Sequence, residues 1–188
     1  LFGVGDTGSG CRLSRTVTEG KAFRALSDQL GFRQRAQTVD ESYVLALAEL
    51  LQQSGLGKGV ILAQDAFYDH AGKPDWERTH FYVPNDYLFQ VVARYPDKMI
   101  PCVSINPQRA DAIPELARCA AQGAKVLKIH PPTQGVDLSD HRYTPFFRRC
   151  ADLKMVVMVH TGHEHTAPIV DANLANPRRL ALALEQSC

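Results

Sequence analysis

The 188-residue chain carries 21 Lys and Arg against 20 Asp and Glu, a formal charge of +1, with 45% hydrophobic and 22% charged residues. That is the composition of a globular domain, and it excludes a disordered, collagen-like or mucin-like chain. Neither sign of charge is concentrated enough to make a nucleic-acid surface or a polybasic anchor. Its apolar runs, such as 155–159, are far short of the roughly 20 residues of a bilayer span. Neither nucleic acid nor membrane is therefore an expected partner. Five widely spaced cysteines without a C-x-x-C pair point to reduced, mostly buried thiols in a cytoplasmic protein, a redox or metal role being the alternative.

In chain order, a weak amphipathic pattern over 18–30 and a stronger one over 40–54 predict helices, the second closed by Gly55-Leu56-Gly57. Strand 59–63 follows, then helix 85–95, strand 99–105, helix 111–122 closed by Gly123, strand 124–129, helix 143–153, strand 155–159 and a helix from about 176 to 186. The helical segments place apolar residues three and four apart. The strand segments are β-branched and almost continuously apolar, as parallel strands covered by helices on both faces are. Asn85 and Asp111 stand where helix caps are expected. The alternation predicts one α/β domain, residues 1–188, with a parallel sheet.

In such folds ligands gather at the C-terminal ends of the strands, and those ends are polar here. Gln64-Asp65 and Tyr68-Asp69-His70 follow the first strand, Asn106-Pro107 the second, His130-Pro131-Pro132 the third and His160-Thr161-Gly162 the fourth. An apolar strand delivers His160 into a glycine-containing loop, where it is either a metal ligand or a hydrogen-bonded core histidine. Lys128 and His130, two apart, face the same side of their strand. A buried Lys must be paired, neutralised or modified, so Lys128 either reaches a structural carboxylate or belongs to a site. His163-Glu164-His165 looks like a chelating pair, but with His160 it does not reproduce His-Glu-x-x-His. A solvated or substrate-contacting loop is the expectation. His70, His80 and His141 read as surface residues. Gly3-x-Gly5-x-x-Gly8-x-Gly10 resembles a phosphate cradle, although no strand precedes it.

Together, Asn106-Pro107 after a strand, the helix closed by Gly123, Val126-Leu127-Lys128-Ile129-His130-Pro131 and Val156-Val157-Met158-Val159-His160-Thr161-Gly162 resemble the amidohydrolase superfamily. The likeness is to its amidohydrolase-related (type 2) metal-dependent hydrolases and runs in order from about residue 40 onward. It implies a TIM-type (β/α)8 barrel with one or two divalent metals. In that family the ligands are a His-x-His on strand 1, a His on strand 5, often a His on strand 6 and an Asp on strand 8, with a carboxylated Lys on strand 4 in some members. Counted this way the four strands are barrel strands 2 to 5, His160 falls at the strand-5 ligand, and Lys128 and His130 lie on strand 4. The strand-1 His-x-His and strands 6 to 8 have no counterpart, and Leu1-Phe2-Gly3 resembles the sequence that follows that motif. A complete barrel takes about 250 residues. The expectation is a partial barrel, a piece of a longer chain, with negligible activity of its own.

The resemblance implies hydrolysis of an amide, ester or lactone bond in a small-molecule substrate. A divalent metal, expected to be zinc, would lower the pKa of a bound water from 15.7 to about 7. His160 would bind the metal, Lys128 and His130 would be the catalytic residues that complete or orient its shell, and Asp65, His163 and His165 would contact substrate. A decarboxylase of aromatic acids from the same superfamily and a non-catalytic α/β binding protein are the alternatives. A homo-oligomer is compatible with all three.

Overall fold

The computed structural model describes residues 1–31, 35–165 and 167–186. An N-terminal loop leads into β1 (Arg12–Leu13), α1 (Arg15–Thr18) and α2 (Lys21–Leu30), followed by α3 (Val39–Gln53) and β2 (Gly59–Leu62). Then come β3 (Phe81–Tyr82), α4 (Asn85–Arg94), β4 (Met99–Ser104), α5 (Ala112–Ala121), β5 (Val126–Ile129) and α6 (Pro131–Gln134). The described chain ends with α7 (Thr144–Asp152), β6 (Val156–Val159) and α8 (Ala181–Glu185). No helix among the described residues is long and apolar enough to cross a membrane.

The four apolar segments form one parallel sheet in the order β2-β4-β5-β6, an arc of four neighbouring barrel strands. β1 and β3 pair separately as a small antiparallel ribbon. The parallel sheet has two unlike faces. Ile61, Val103, Leu127 and Ile129 point into the buried core, where they meet Leu88, Leu116 and Phe147 from the covering helices. Residues of the opposite parity make the inner face, on which Val60, Val156 and Met158 are exposed. Helices therefore do not cover both faces, contrary to expectation. The near-continuous apolar runs arise because the inner face of a barrel is also apolar, facing other strands.

Local chemistry accounts for the departures in the helices. The helix expected over 18–30 is two, because Gly20 takes an extended conformation at the N-cap of α2. The helix expected over 176–186 begins as a 3-10 turn, Pro177–Leu180, whose start is capped by Asn176, and only then becomes α8. Asn85 does not cap α4. Its amide accepts from the Ser104 N–H and donates to the Ser104 carbonyl and to Glu115, tying the helix to the end of β4. Asp111 stands at the N-cap of α5 without capping it, because its carboxylate is held by Arg109. Thr38 caps α3 by accepting from Glu41 N–H, as short hydroxyl side chains do.

Cys11, Cys102, Cys119 and Cys150 are buried, whereas Cys188 lies outside the described residues. Burial pushes the Cys11 and Cys102 thiols up to about 11 and Cys119 to about 12, which leaves them protonated and unreactive at neutral pH. The glycine-rich N-terminal loop cradles the chain's own carboxylate. Val4 N–H, Gly5 N–H, Thr7 Oγ1 and Ser9 Oγ all donate to Asp40, in the first turn of α3. A phosphate would find this place occupied.

Candidate metal centre

The C-terminal ends of β5 and β6 bring two imidazoles together. The His130 and His160 rings stack with centroids 4.0 Å apart and planes inclined by 19°. Glu164, from the loop after β6, reaches back so that its Oε2 lies 3.0 Å from His130 Nε2 and 3.9 Å from His160 Nε2. Ala167 N–H steadies the carboxylate by donating to Oε1. One ligating atom from each of the three residues lies within 4.8 Å of the others. His160 Nε2 is buried and has no hydrogen-bond partner among the described residues. An orphaned nitrogen of this kind carries a desolvation cost unless something else binds it.

The short helix α6 explains the His130-Pro131-Pro132-Thr133-Gln134 sequence. Pro131 and Pro132 occupy the first helical positions, where a missing N–H costs nothing. The Thr133 and Gln134 N–H groups return to the His130 carbonyl. Buried Gln134 accepts from His130 N–H through Oε1 and donates from Nε2 to Ser104 Oγ, which fixes the histidine backbone to β4. Burial and the adjacent His160 ring lower His130 to about 4, against the pull of Glu164. It is therefore a neutral imidazole at pH 7, the form that ligates metals.

Lys128 lies one turn of the pleat before His130 and lines the same cavity, of about 310 Å³, together with Gln64, Thr133 and Glu164. Burial lowers its ammonium below the ordinary value, while Cys102 and Glu164 oppose the shift. The other expected residues are not gathered at this point. His163 and His165 are exposed on the loop, rings stacked at 6.1 Å, flanking the one residue of their triplet that turns inward. Asp65 is buried and taken up by the chain itself. Its Oδ1 accepts from Ala66 N–H and Tyr68 Oη, and its Oδ2 from Asn106 N–H and Arg109. That leaves no free oxygen for a substrate.

A family model described as Amidohydrolase matches residues 39–183. The chain belongs to the amidohydrolase family. Among solved structures, an uncharacterized TIM-barrel protein from Bordetella bronchiseptica is similar in fold, with a TM-score of 0.63 and 21% identity. The match covers 92% of this chain and 57% of that one, so this amidohydrolase chain spans little more than half the length of that structure. A 5-carboxyvanillate decarboxylase from Novosphingobium aromaticivorans, solved with manganese, matches at TM-score 0.47 and 19% identity over 94% of this chain and 59% of that one. A probable 2-pyrone-4,6-dicarboxylic acid hydrolase from Acinetobacter baumannii matches at 0.45 and 16% over 63% and 39%. These two likenesses are too distant to add to the fold assignment. No curated protein matches.

The amidohydrolase family implies a divalent metal, and the residues present fit one. Two imidazole nitrogens and a carboxylate oxygen form a donor set typical of catalytic zinc and related ions, and the buried unpartnered nitrogen of His160 points into that group. In the sequence His130 and His160 stand out at strand ends, whereas Glu164 reads only as part of a solvated or substrate-contacting loop. Its inward turn follows from loop closure, to which no periodicity or spacing is a guide. Thr133 contacts His130, and Gln64, in sequence only one of the polar residues at a strand end, donates to Thr133 across 69 positions, an approach that no local pattern announces.

Proposed function

We propose that this chain carries part of the active site of a metal-dependent hydrolase acting on an amide, ester or lactone bond of a small molecule. The observation that carries the reading is the convergence of His130, His160 and Glu164 with one buried imidazole nitrogen unpartnered. A divalent cation there, with zinc the best match to the donor set, would supply Lewis acidity to a carbonyl oxygen and acidify a water. Lys128, on the same wall, donates a hydrogen bond to the substrate's carbonyl oxygen or departing group, and burial reduces the cost of its passing on a proton. His163 and His165 contact the substrate at the rim. Next to the cluster, an apolar hollow of about 230 Å³ lined by Phe2, Phe23 and Phe81 shares Phe81 and Ala167 with the cavity, and it suits an apolar portion of the substrate.

Metal content tests the reading directly. The chain, incubated with Zn²⁺ and freed of excess, should retain about one equivalent, and His160→Ala should retain little. Equal retention by both proteins would overturn the assignment. Substrate screening of the full-length protein then separates reaction types, because CO₂ released from an aromatic acid without any hydrolysis product would make the enzyme a lyase instead.

A further inference from the structure

Thr133 Oγ1 lies 3.0 Å from His130 Nδ1, 3.1 Å from the His130 carbonyl oxygen and 3.1 Å from Gln64 Nε2. Gln64 can only donate along that contact through its amide N–H, which occupies one lone pair of the hydroxyl. The hydroxyl is left with one proton to give and one lone pair to offer, and two places to use them. If it donates to Nδ1, His130 carries its proton on Nε2 and Nε2–H donates a hydrogen bond to Glu164 Oε2, 3.0 Å away. If it rotates and donates to the His130 carbonyl, Nδ1–H donates to the hydroxyl and the Nε2 lone pair is released. The carbonyl already accepts from the Thr133 and Gln134 N–H groups, so it tolerates either arrangement. Without an ion, a bare Nε2 lone pair 3.0 Å from a carboxylate oxygen would be repelled, which favours the first arrangement. A cation between Nε2 and Glu164 reverses that preference.

We infer that Thr133 is a positioning residue whose hydroxyl rotates to serve both neutral tautomers of His130, Nε2–H without metal and Nδ1–H with it, so that metal uptake never leaves Nδ1 unpartnered. The inference rests on the proposed metal reading for its second half only. Outer-shell partners of this kind contribute about 10- to 100-fold to metal affinity.

The test is the tautomer of His130, read from long-range ¹H–¹⁵N spectra of the ¹⁵N-histidine-labelled chain and assigned by difference from His130→Asn. In metal-free protein the proton is expected on Nε2, and saturating Zn²⁺ should move it to Nδ1. Thr133→Val should keep the proton on Nε2 without metal, where Glu164 holds it, but bind Zn²⁺ about 10- to 100-fold more weakly, because Nδ1–H then lacks its acceptor, while Thr133→Ser, which keeps the hydroxyl, should restore the affinity. A metal-free His130 protonated on Nδ1, or a proton that stays on Nε2 when Zn²⁺ binds, overturns the inference. So does a Thr133→Val protein that binds Zn²⁺ with wild-type affinity. If the chain takes up no Zn²⁺ at all, the metal reading and the metal-bound half of the inference fail together, while the metal-free wild-type tautomer still decides the other half. Should Thr133→Val not fold, the wild-type tautomer with and without Zn²⁺ and the Thr133→Ser protein decide it.

Discussion

Asp65 stands at the end of a barrel strand, the place where sequence reasoning looks for substrate contacts, yet its surroundings are architectural. It receives two backbone N–H groups, a phenol and a guanidinium, and these come from the β2 and β4 loops, so the carboxylate joins the two strand ends. Asp65→Asn keeps the shape and turns one acceptor into a donor that faces donors. The cost of a buried unsatisfied donor is about 1–3 kcal/mol, and for a chain of this size each kcal/mol corresponds to roughly 2–4 °C in melting temperature. We expect Asp65→Asn to melt about 2–12 °C lower and to retain Zn²⁺ as wild type does. A variant of unchanged stability with a raised KM for substrate would return Asp65 to the binding site. Glu164 is the converse case: between two histidines of more conspicuous chemistry, it is the member of the triplet that meets His130.

At the scale of elements, the strands were legible because four apolar β-branched runs each end in polar residues, and the sheet places them side by side in chain order. The long helices were legible from their spacing: α4 and α5 each bury one stripe, and α3 buries two, Val44, Ala48 and Leu51 against the main core and Ala46 beside Phe23 in a second cluster. What periodicity could not show was short or built from distant partners. β1 and β3 have two residues each, α6 has four, and the approach of Thr133 to Gln64 depends on the arc being formed. The N-terminal loop belongs to this second group. Its glycines read as an anion cradle, and an anion does occupy it, but that anion is Asp40. Gly5 has φ +86°, and a Cβ there would lie 2.5 Å from the Cys11 carbonyl oxygen, so the loop can close around the carboxylate only with glycine at that position. Asp6 completes the clasp by accepting from the Val39 and Asp40 N–H groups. Asp40→Ala strips an acceptor from two amides and two hydroxyls, for a loss on the order of 3 kcal/mol. Amide exchange at Val4 and Gly5 should accelerate far more than exchange in β4 or β5, and equal protection in both proteins would contradict this account of the loop.

For the molecule as a whole, the arc has one face closed by helices and one open, with the candidate metal centre at the rim where the two meet. Its three donors come from separate places: the end of β5, the end of β6 and the loop beyond β6. Stacking the two imidazoles and bringing the carboxylate to them holds β5, β6 and that loop in register, whereas the unfolded chain scatters the same donors. A ligand that binds only the folded arrangement stabilises it by RT ln(1 + [L]/Kd), which is about 2.7 kcal/mol at a hundredfold excess over Kd. For a chain of this length that corresponds to roughly 5–10 °C. Zn²⁺ should therefore raise the melting temperature by about that amount and EDTA should reverse it. His160→Ala should melt at the same temperature with and without the ion, because removing one of three donors dissolves the site while leaving the helix-covered face intact. A zinc increment that persists in His160→Ala would place the stabilising ion elsewhere on the molecule, and the three residues would then be a buried polar cluster and nothing more.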